Sequence, residues 1–291
     1  MKTNRILFLC FAASAILTFS SCSDDDDNND VPENTHLVSK EVQDAFNTKY
    51  PQAKSVEWEL KGDYAVVDFD WNGEEHSAWF NPSSAIWHMT ETDIRYDNLP
   101  EPVLTAHKAS EYADWAVDDV DMLTREGMET LYVIEAEKGN ADVDLYYSPS
   151  GVLVKTVLDA GQDNDYDGFL PQPDVKDMTA FIAQKYPNAK VIEIDHENGM
   201  TEVEILDGRI CRDVYFNTKN EWMKTTWDVL LSELPNAVKE AVNNKYQGYV
   251  IDDADYVQTA LSDWYELDLE DERTDAEIEN VKITVDGNWI D

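Results

Sequence analysis

Apolar residues recur at helical spacing in two well-separated stretches. The first is Val38, Val42, Ala45, Phe46 and Tyr50; the second is Val175, Met178, Phe181, Ile182 and Tyr186. One apolar face every three or four residues predicts an amphipathic helix in each. Both stretches end on nearly the same hexapeptide, Lys49-Tyr50-Pro51-Gln52-Ala53-Lys54 and Lys185-Tyr186-Pro187-Asn188-Ala189-Lys190. The proline stops each helix, because it lacks an N–H and restricts the residue before it. The pattern then changes to period two. Val56, Trp58 and Leu60 alternate with Glu57, Glu59 and Lys61, and Val191 to Asp195 alternates likewise, which predicts strands.

The correspondence continues. Val67 and Phe69 match Val203 and Ile205, Phe80-Asn81 matches Phe216-Asn217, and Trp87 matches Trp222. Leu99-Pro100 matches Leu234-Pro235, and Val117 to Asp121 matches Ile251 to Asp255. A weaker repeat lies inside each half: runs after Leu99-Pro100 and Leu234-Pro235 again read as helices leading into strands. Four units are expected, starting near Leu37, Leu99, Asp174 and Leu234, each with one helix and three or four strands. Asn72-Gly73 and Asp207-Gly208 are hairpin-turn signals within them.

Residues 1–21 read as a secretory leader, with Lys2 and Arg5 before an apolar stretch from Ile6 to Phe19. Ser20-Ser21-Cys22 resembles a bacterial lipobox, which implies cleavage before Cys22 and lipidation of its thiol. Several acyl chains on one residue make a stable anchor. The acidic run Asp24 to Asp27 resembles the export signal of Bacteroidetes surface lipoproteins. The expected location is therefore the outer membrane, exposed at the cell surface, with a periplasm-facing anchor as the alternative. Residues 22–36 would be a flexible tether, 37–159 and 174–291 two tandem domains, and 160–173 a Gly- and Pro-rich acidic linker.

Charge narrows the partners. The 291-residue chain carries a formal charge of −39, and removal of the leader leaves 20 basic against 61 acidic residues, −41. Such a surface repels nucleic acid and anionic lipid, so membrane association would be through the anchor alone. Cys211 is the only cysteine beyond the leader and the lipid site, so a disulfide framework is excluded and a structural thiol expected.

The linker holds the one metal-like spacing. Asp163, Asp165 and Asp167 alternate, Gly168 follows, and Asp174 stands at the twelfth position, which resembles a calcium loop of EF-hand type. Ca2+ is the single cofactor so suggested. Position twelve is Asp where Glu is usual, and Pro171 and Pro173 stiffen the loop. The trios Asp118, Asp119, Asp121 and Asp252, Asp253, Asp255 fall where helix-to-strand connections are expected, so they should be solvated. Among the aromatics, Trp79 and Tyr215 point away from the expected core face. If helices cover only one face of each sheet, Trp79, Trp87, Tyr215 and Trp222 would form a binding surface on the other. Neither a His-x-x-x-His pair, a nucleophile elbow nor a phosphate loop is present, so no catalytic residue is assigned and no enzyme activity is expected.

A lipoprotein leader followed by helix–strand units, the first and third helices closing on Lys-Tyr-Pro-x-Ala-Lys and the second and fourth units lacking the proline, resembles the Bacteroidetes PepSY-like, beta-lactamase-inhibitor-like family over nearly all of residues 37–291. The resemblance implies an α+β fold: tandem helix-plus-antiparallel-sheet units in two duplicated halves, with helices on one face of each sheet. It implies a non-catalytic binding module for an unknown protein, inhibitor-like in kind. A glycan-binding surface protein and a calcium-binding structural envelope protein are the alternatives.

Overall fold

The amphipathic stretches fold as four helices: α1 (Lys40–Lys49), α2 (Glu101–Ala109), α3 (Lys176–Lys185) and α4 (Asn236–Lys245). The computed structural model describes residues 35–159, 166, 169–171, 175–271 and 273–290. Ser39 caps α1, its side chain accepting from the Val42 N–H. Pro100 and Pro235 precede α2 and α4, where a missing N–H costs nothing. α1 and α3 end alike. The N–H of Tyr50 bonds to Phe46 O and that of Tyr186 to Ile182 O, and both residues leave the helical region, with ψ of 68° and 73°, as a following proline requires. Tyr246 closes α4 in the same conformation without a proline after it. The turn is therefore set by packing of the tyrosine as well as by proline.

Four strands follow α1 and four follow α2: β1 (Lys54–Lys61), β2 (Tyr64–Trp71), β3 (Glu74–Phe80), β4 (Trp87–Asp93), β5 (Ala116–Arg125), β6 (Leu131–Lys138), β7 (Ala141–Tyr147) and β8 (Leu153–Asp159). They form one antiparallel sheet in sequence order. The second half gives β9 (Lys190–Glu197), β10 (Met200–Asp207), β11 (Ile210–Phe216), β12 (Trp222–Asp228), β13 (Val250–Thr259), β14 (Asp263–Asp271) and β15 (Ala276–Ile283), a seven-stranded sheet also in sequence order. The position of an eighth strand is taken by a single bridge, Ile283 to Trp289. Asn72 and Gly73 both have positive φ, as the predicted tight hairpin between β2 and β3 requires.

Period two sorts each strand into two faces. Trp58, Val67, Phe69, Ala78 and Phe80 pack under Val42, Phe46 and Tyr50 of the first helix. Val120, Ile134, Val143 and Leu145 pack under Val103 of α2. The second sheet repeats this under α3 and α4. Each helix thus covers one face of its sheet. Gly151 and Gly287 mark the same point in the two halves. A Cβ on either would lie 2.3 Å from Pro102 O or 2.6 Å from Ala237 O, and both have positive φ.

The opposite faces are held by a joint between the halves. Arg125, 4% exposed at the end of β5, donates to Glu129 O, to Phe169 O in the connecting segment and to Ile192 O on β9. Its charge is met by carbonyls of three segments rather than by a carboxylate. Burial pulls its pKa down to about 10. The Phe169 ring stacks on Tyr146 at 4.4 Å, and Leu170 is buried with Val66, Trp79 and Met89. Described residues of the connection, expected as an acidic linker, therefore fill a core.

Candidate functional site

The repeated hexapeptide builds one constellation twice on the helix-covered faces, and its lysine–tryptophan contact recurs a third time. Lys49 Nζ lies 3.5 Å over the Trp87 ring, Trp87 Nε1 donates to Thr90 Oγ1 at 2.8 Å, and the Tyr50 hydroxyl meets the same oxygen. Lys185 lies 4.2 Å over Trp222, whose Nε1 donates to Thr225 Oγ1 at 3.0 Å, and the Tyr186 hydroxyl donates there at 3.1 Å. Lys245 over Trp289 is the third instance, at 4.3 Å. A lysine over an indole contributes about 0.5–1 kcal/mol at a surface. These tryptophans fasten the helix ends to the sheets.

That corrects the expected aromatic surface. Trp87 and Trp222 belong to the helix side, because each β-bulge at the start of β4 and β12 shifts the alternation by one residue. Trp79 does face away from the helices, as period two requires, but it is 2% exposed and covered by Leu170. Tyr215 alone lies half-buried on the helix-free side, with Lys224 Nζ at 4.4 Å from its ring. The four do not converge. Asp163, Asp165, Asp167, Asp174 and Cys22 lie outside the described residues. Cys211 is half-buried, and desolvation with neighbouring Glu204 pushes its thiol up to about 12, which suits a structural role.

The helix-free face of the first sheet carries acids instead. Asp68 and Asp70 of β2 lie there beside Glu91 and Asp93 of β4 and Asp119 and Asp121 of β5. With Glu75 they line a trough of about 340 Å³, and no lysine or arginine among the described residues lines it. Asp93 is directly opposite Asp121; Asp119 is opposite Glu135, which is opposite Asp144. Like charges so opposed repel. Desolvation first, and then Asp68 and Asp119, push Glu91 up to about 7, with Lys61 of β1 opposing. Desolvation, then Glu91 and Asp119, push Asp121 up to about 8, against a Tyr166 hydroxyl that donates to Asp121 Oδ2 at 2.9 Å. Glu135 stands at about 7, from desolvation with Asp144 beside it.

Asp119 and Asp121 were expected in a solvated connection. They lie within β5, and Asp121 is 3% exposed. The rest of the trough escaped sequence reading. The available signal was the opposite parity of each strand: acids at alternate positions in Tyr64–Trp71 and in Trp87–Asp93, out of phase with the apolar residues. Among the described residues, no three His, Cys, Asp or Glu side chains are disposed to hold a metal ion.

The second sheet has a smaller acidic recess of about 270 Å³, lined by Glu193, Asp195, Glu202 and Glu204. Here Lys155 of β8 enters and pairs with Glu193. Glu204 is still pushed up to about 8, chiefly by desolvation, with Asp213 and Glu193 adding and Lys155 opposing.

No curated protein matches the chain. Among solved structures, a BLIP-like protein from Bacteroides fragilis shares 40% identity over 44% of this chain and 90% of its own, with a TM-score of 0.42. A DUF2874 family protein from Bacteroides ovatus shares 30% over 44% and 93%, with a TM-score of 0.43. A Bacteroides eggerthii protein, provisionally described as periplasmic, shares 28% over 44% and 93%, with a TM-score of 0.42. The profile of the family described as beta-lactamase-inhibitor-like and PepSY-like matches residues 63–155 and again 200–290, equivalent spans of the two halves and together more than half of the chain. With the same helix, sheet and Lys-Tyr-Thr-Trp fastening built in each half, the chain belongs to the PepSY-like, beta-lactamase-inhibitor-like family, in tandem copies.

Proposed function

We propose that this protein is a non-catalytic, lipid-anchored binding module of the envelope, tethered through Cys22 and exposed at the cell surface. It presents the helix-free face of its first sheet to a positively charged protein partner. The observation that carries the reading is the trough of seven carboxylates from β2 to β5, lined by no lysine or arginine among the described residues. Charge complementarity of this kind steers association and selects partners. The family's inhibitor-like character is consistent with capture of another protein on a sheet face.

Pentalysine peptide serves as the probe, titrated against the full mature chain. The triple variant Asp68→Asn/Glu91→Gln/Asp121→Asn is expected to bind it at least about tenfold more weakly. A charge-matched control, Glu277→Gln/Glu279→Gln/Asp252→Asn, changes exposed residues elsewhere and should move affinity less than about twofold. Equal losses in the two variants would reduce the interaction to net charge and end the reading.

A further inference from the structure

Three of the four helices follow one rule, and α2 breaks it. Each helix buries two side chains four residues apart against its sheet: Val42 and Phe46, Val103 and His107, Met178 and Ile182, Val238 and Val242. The second position is apolar in three copies and histidine in one. The strand end beneath it shows the same exception. Phe80, Phe216 and Ile283 close β3, β11 and β15, whereas Tyr147 closes β7. The polar pair keeps the apolar packing. Phe46 and Phe80 lie edge to face at 6.4 Å, His107 and Tyr147 at 6.5 Å.

The hydrogen bonding is what differs. His107 is 2% exposed and Tyr147 1%. The Tyr96 hydroxyl meets His107 Nδ1 at 2.8 Å, but His107 Nε2 and the Tyr147 hydroxyl are buried without partners, so they do not bond to each other. Ser110, beside that hydroxyl, donates to His107 O instead. In either neutral tautomer Nε2 is unmet; after protonation the unmet group is a charged N–H, which costs more to bury. The groups facing the pair offer it no counter-charge. Lys108 of α2 bears on the imidazole. Tyr96 comes from the short turn Tyr96–Asn98, with Asp97 bearing on its own hydroxyl, and Tyr112 from the segment after α2 bears on Tyr147. From β5, β6 and β7 the neighbours are Val120, Ile134, Val143 and Leu145. A helix C-terminus favours positive charge, but this ring lies on the buried face of the helix, cut off from water.

We infer that His107 is an acid-operated latch on α2: protonation of its imidazole releases the helix from the first sheet while the strands stay folded. This stands apart from the binding reading. The proton comes from solvent, both ring nitrogens then carry hydrogen, and the charged ring is satisfied only where it reaches water. Acid therefore favours the open helix. Burial and then Lys108, which lower the pKa of the closed form, act in the same direction. For such a histidine the stabilisation of the closed helix is present above the unfolded value of about 6.5 and is lost as pH falls below it. The trough acids run the other way. Glu91 and Asp121 hold protons near neutrality and favour the folded sheet in acid. Acid thus loosens α2 without unfolding the strands beneath it.

The test is amide hydrogen exchange of the full mature chain at pH 7.5 and pH 5, with protection corrected for the intrinsic pH dependence of exchange. Protection over Val103 to Lys108 should fall roughly tenfold or more on acidification. Protection over Val238 to Val242 of α4, which carries valine at the equivalent place, should change less than about twofold. His107→Phe installs the side chain that the first helix carries and should abolish the fall in α2. Titration of the imidazole in the unaltered chain, followed by its carbon chemical shifts, needs no variant. His107 should stay neutral well below the ordinary value of about 6.5. Three results would each overturn the latch: equal protection of α2 at the two pH values, an equal fall in the phenylalanine variant, or an imidazole that charges near 6.5 while α2 stays protected.

Discussion

The two halves are alike on one face and unlike on the other. On the helix side, Tyr50 and Tyr186 close equivalent helices, reach equivalent threonines and stand beside equivalent Lys–Trp pairs. On the helix-free side the first half has an acidic trough lined by no cation among its described residues, and the second has a smaller recess that Lys155 enters. The joint is also one-sided. Arg125, which ties β5 to β9, corresponds by repeat to Thr259, whose hydroxyl bonds within its own turn, donating to Ser262 O at 2.7 Å. One row on the helix side departs as well. His76 and Thr92 are buried and bonded to each other, while their counterparts Arg212 and Trp227 are half-exposed and stacked at 4.0 Å. The lesson is a division of labour. The helix side does what folding needs in both halves, and the helix-free side is where they specialise.

Four changes should separate the halves, in descending size. Arg125→Leu leaves carbonyls of three segments unmet and loosens the joint. It should cost about 3–5 kcal/mol in equilibrium urea unfolding, the range for breaking a buried charged network. Thr259→Ala, at the equivalent place, should cost about 1 kcal/mol or less. Similar values for the two would remove the asymmetry.

The second change is in pH. Glu91, at about 7, and Asp121, at about 8, bind protons more tightly in the folded chain than unfolded. For such acids the folded state is favoured at low pH, and stability is lost as pH rises from the unfolded carboxylate range through 7 and 8. Glu91 alone should contribute on the order of 2–3 kcal/mol to that decline. Unfolding midpoints at pH 5.5 and 8.5 should therefore differ, and Glu91→Gln should flatten the difference. His107 works in the opposite sense. Burial and Lys108 lower its pKa, so it destabilises the fold as pH falls below its unfolded value. A wild-type profile that rises steadily from pH 5.5 to 8.5 would contradict the trough's electrostatics.

The third is Lys155→Met. It removes the cation from the second recess and should make that recess bind pentalysine up to about tenfold better. Unchanged affinity there would mean that the lysine is not what distinguishes the two faces. The smallest effects concern the shared face. Lys49→Met and Lys185→Met should each cost about 0.5–1 kcal/mol and agree with one another, since they remove the same contact. Thermal melts of the two variants would check this, and a clear inequality would show that the helix sides differ energetically.

Much of the architecture was legible because it rests on periodicity and punctuation. Val42, Phe46 and Tyr50 announce a helix, Pro51 its end, and Asn72-Gly73 a hairpin. The two-fold repeat supplied the rest by analogy. The aromatic site was misread for a physical reason. Strict alternation fails at the bulges that begin β4 and β12, so Trp87 and Trp222 turn to the helix side. Trp79 has the expected parity, but Phe169 and Leu170 return from the connection to cover that face, and no local pattern announces a long-range contact. The trough stayed hidden because each of its acids looks like an ordinary solvated residue. Only the register that sets Asp93 against Asp121 and Asp119 against Glu135 makes them a group.

The most direct test is to map pentalysine onto the isotopically labelled mature chain by backbone amide chemical shifts at pH 7.5 and moderate salt. The account predicts saturable shifts concentrated at Asp68, Glu91, Asp93, Asp119 and Asp121, with little change at Glu193 to Glu204. Shifts spread evenly over the acidic surface, or centred on the second sheet, would contradict it.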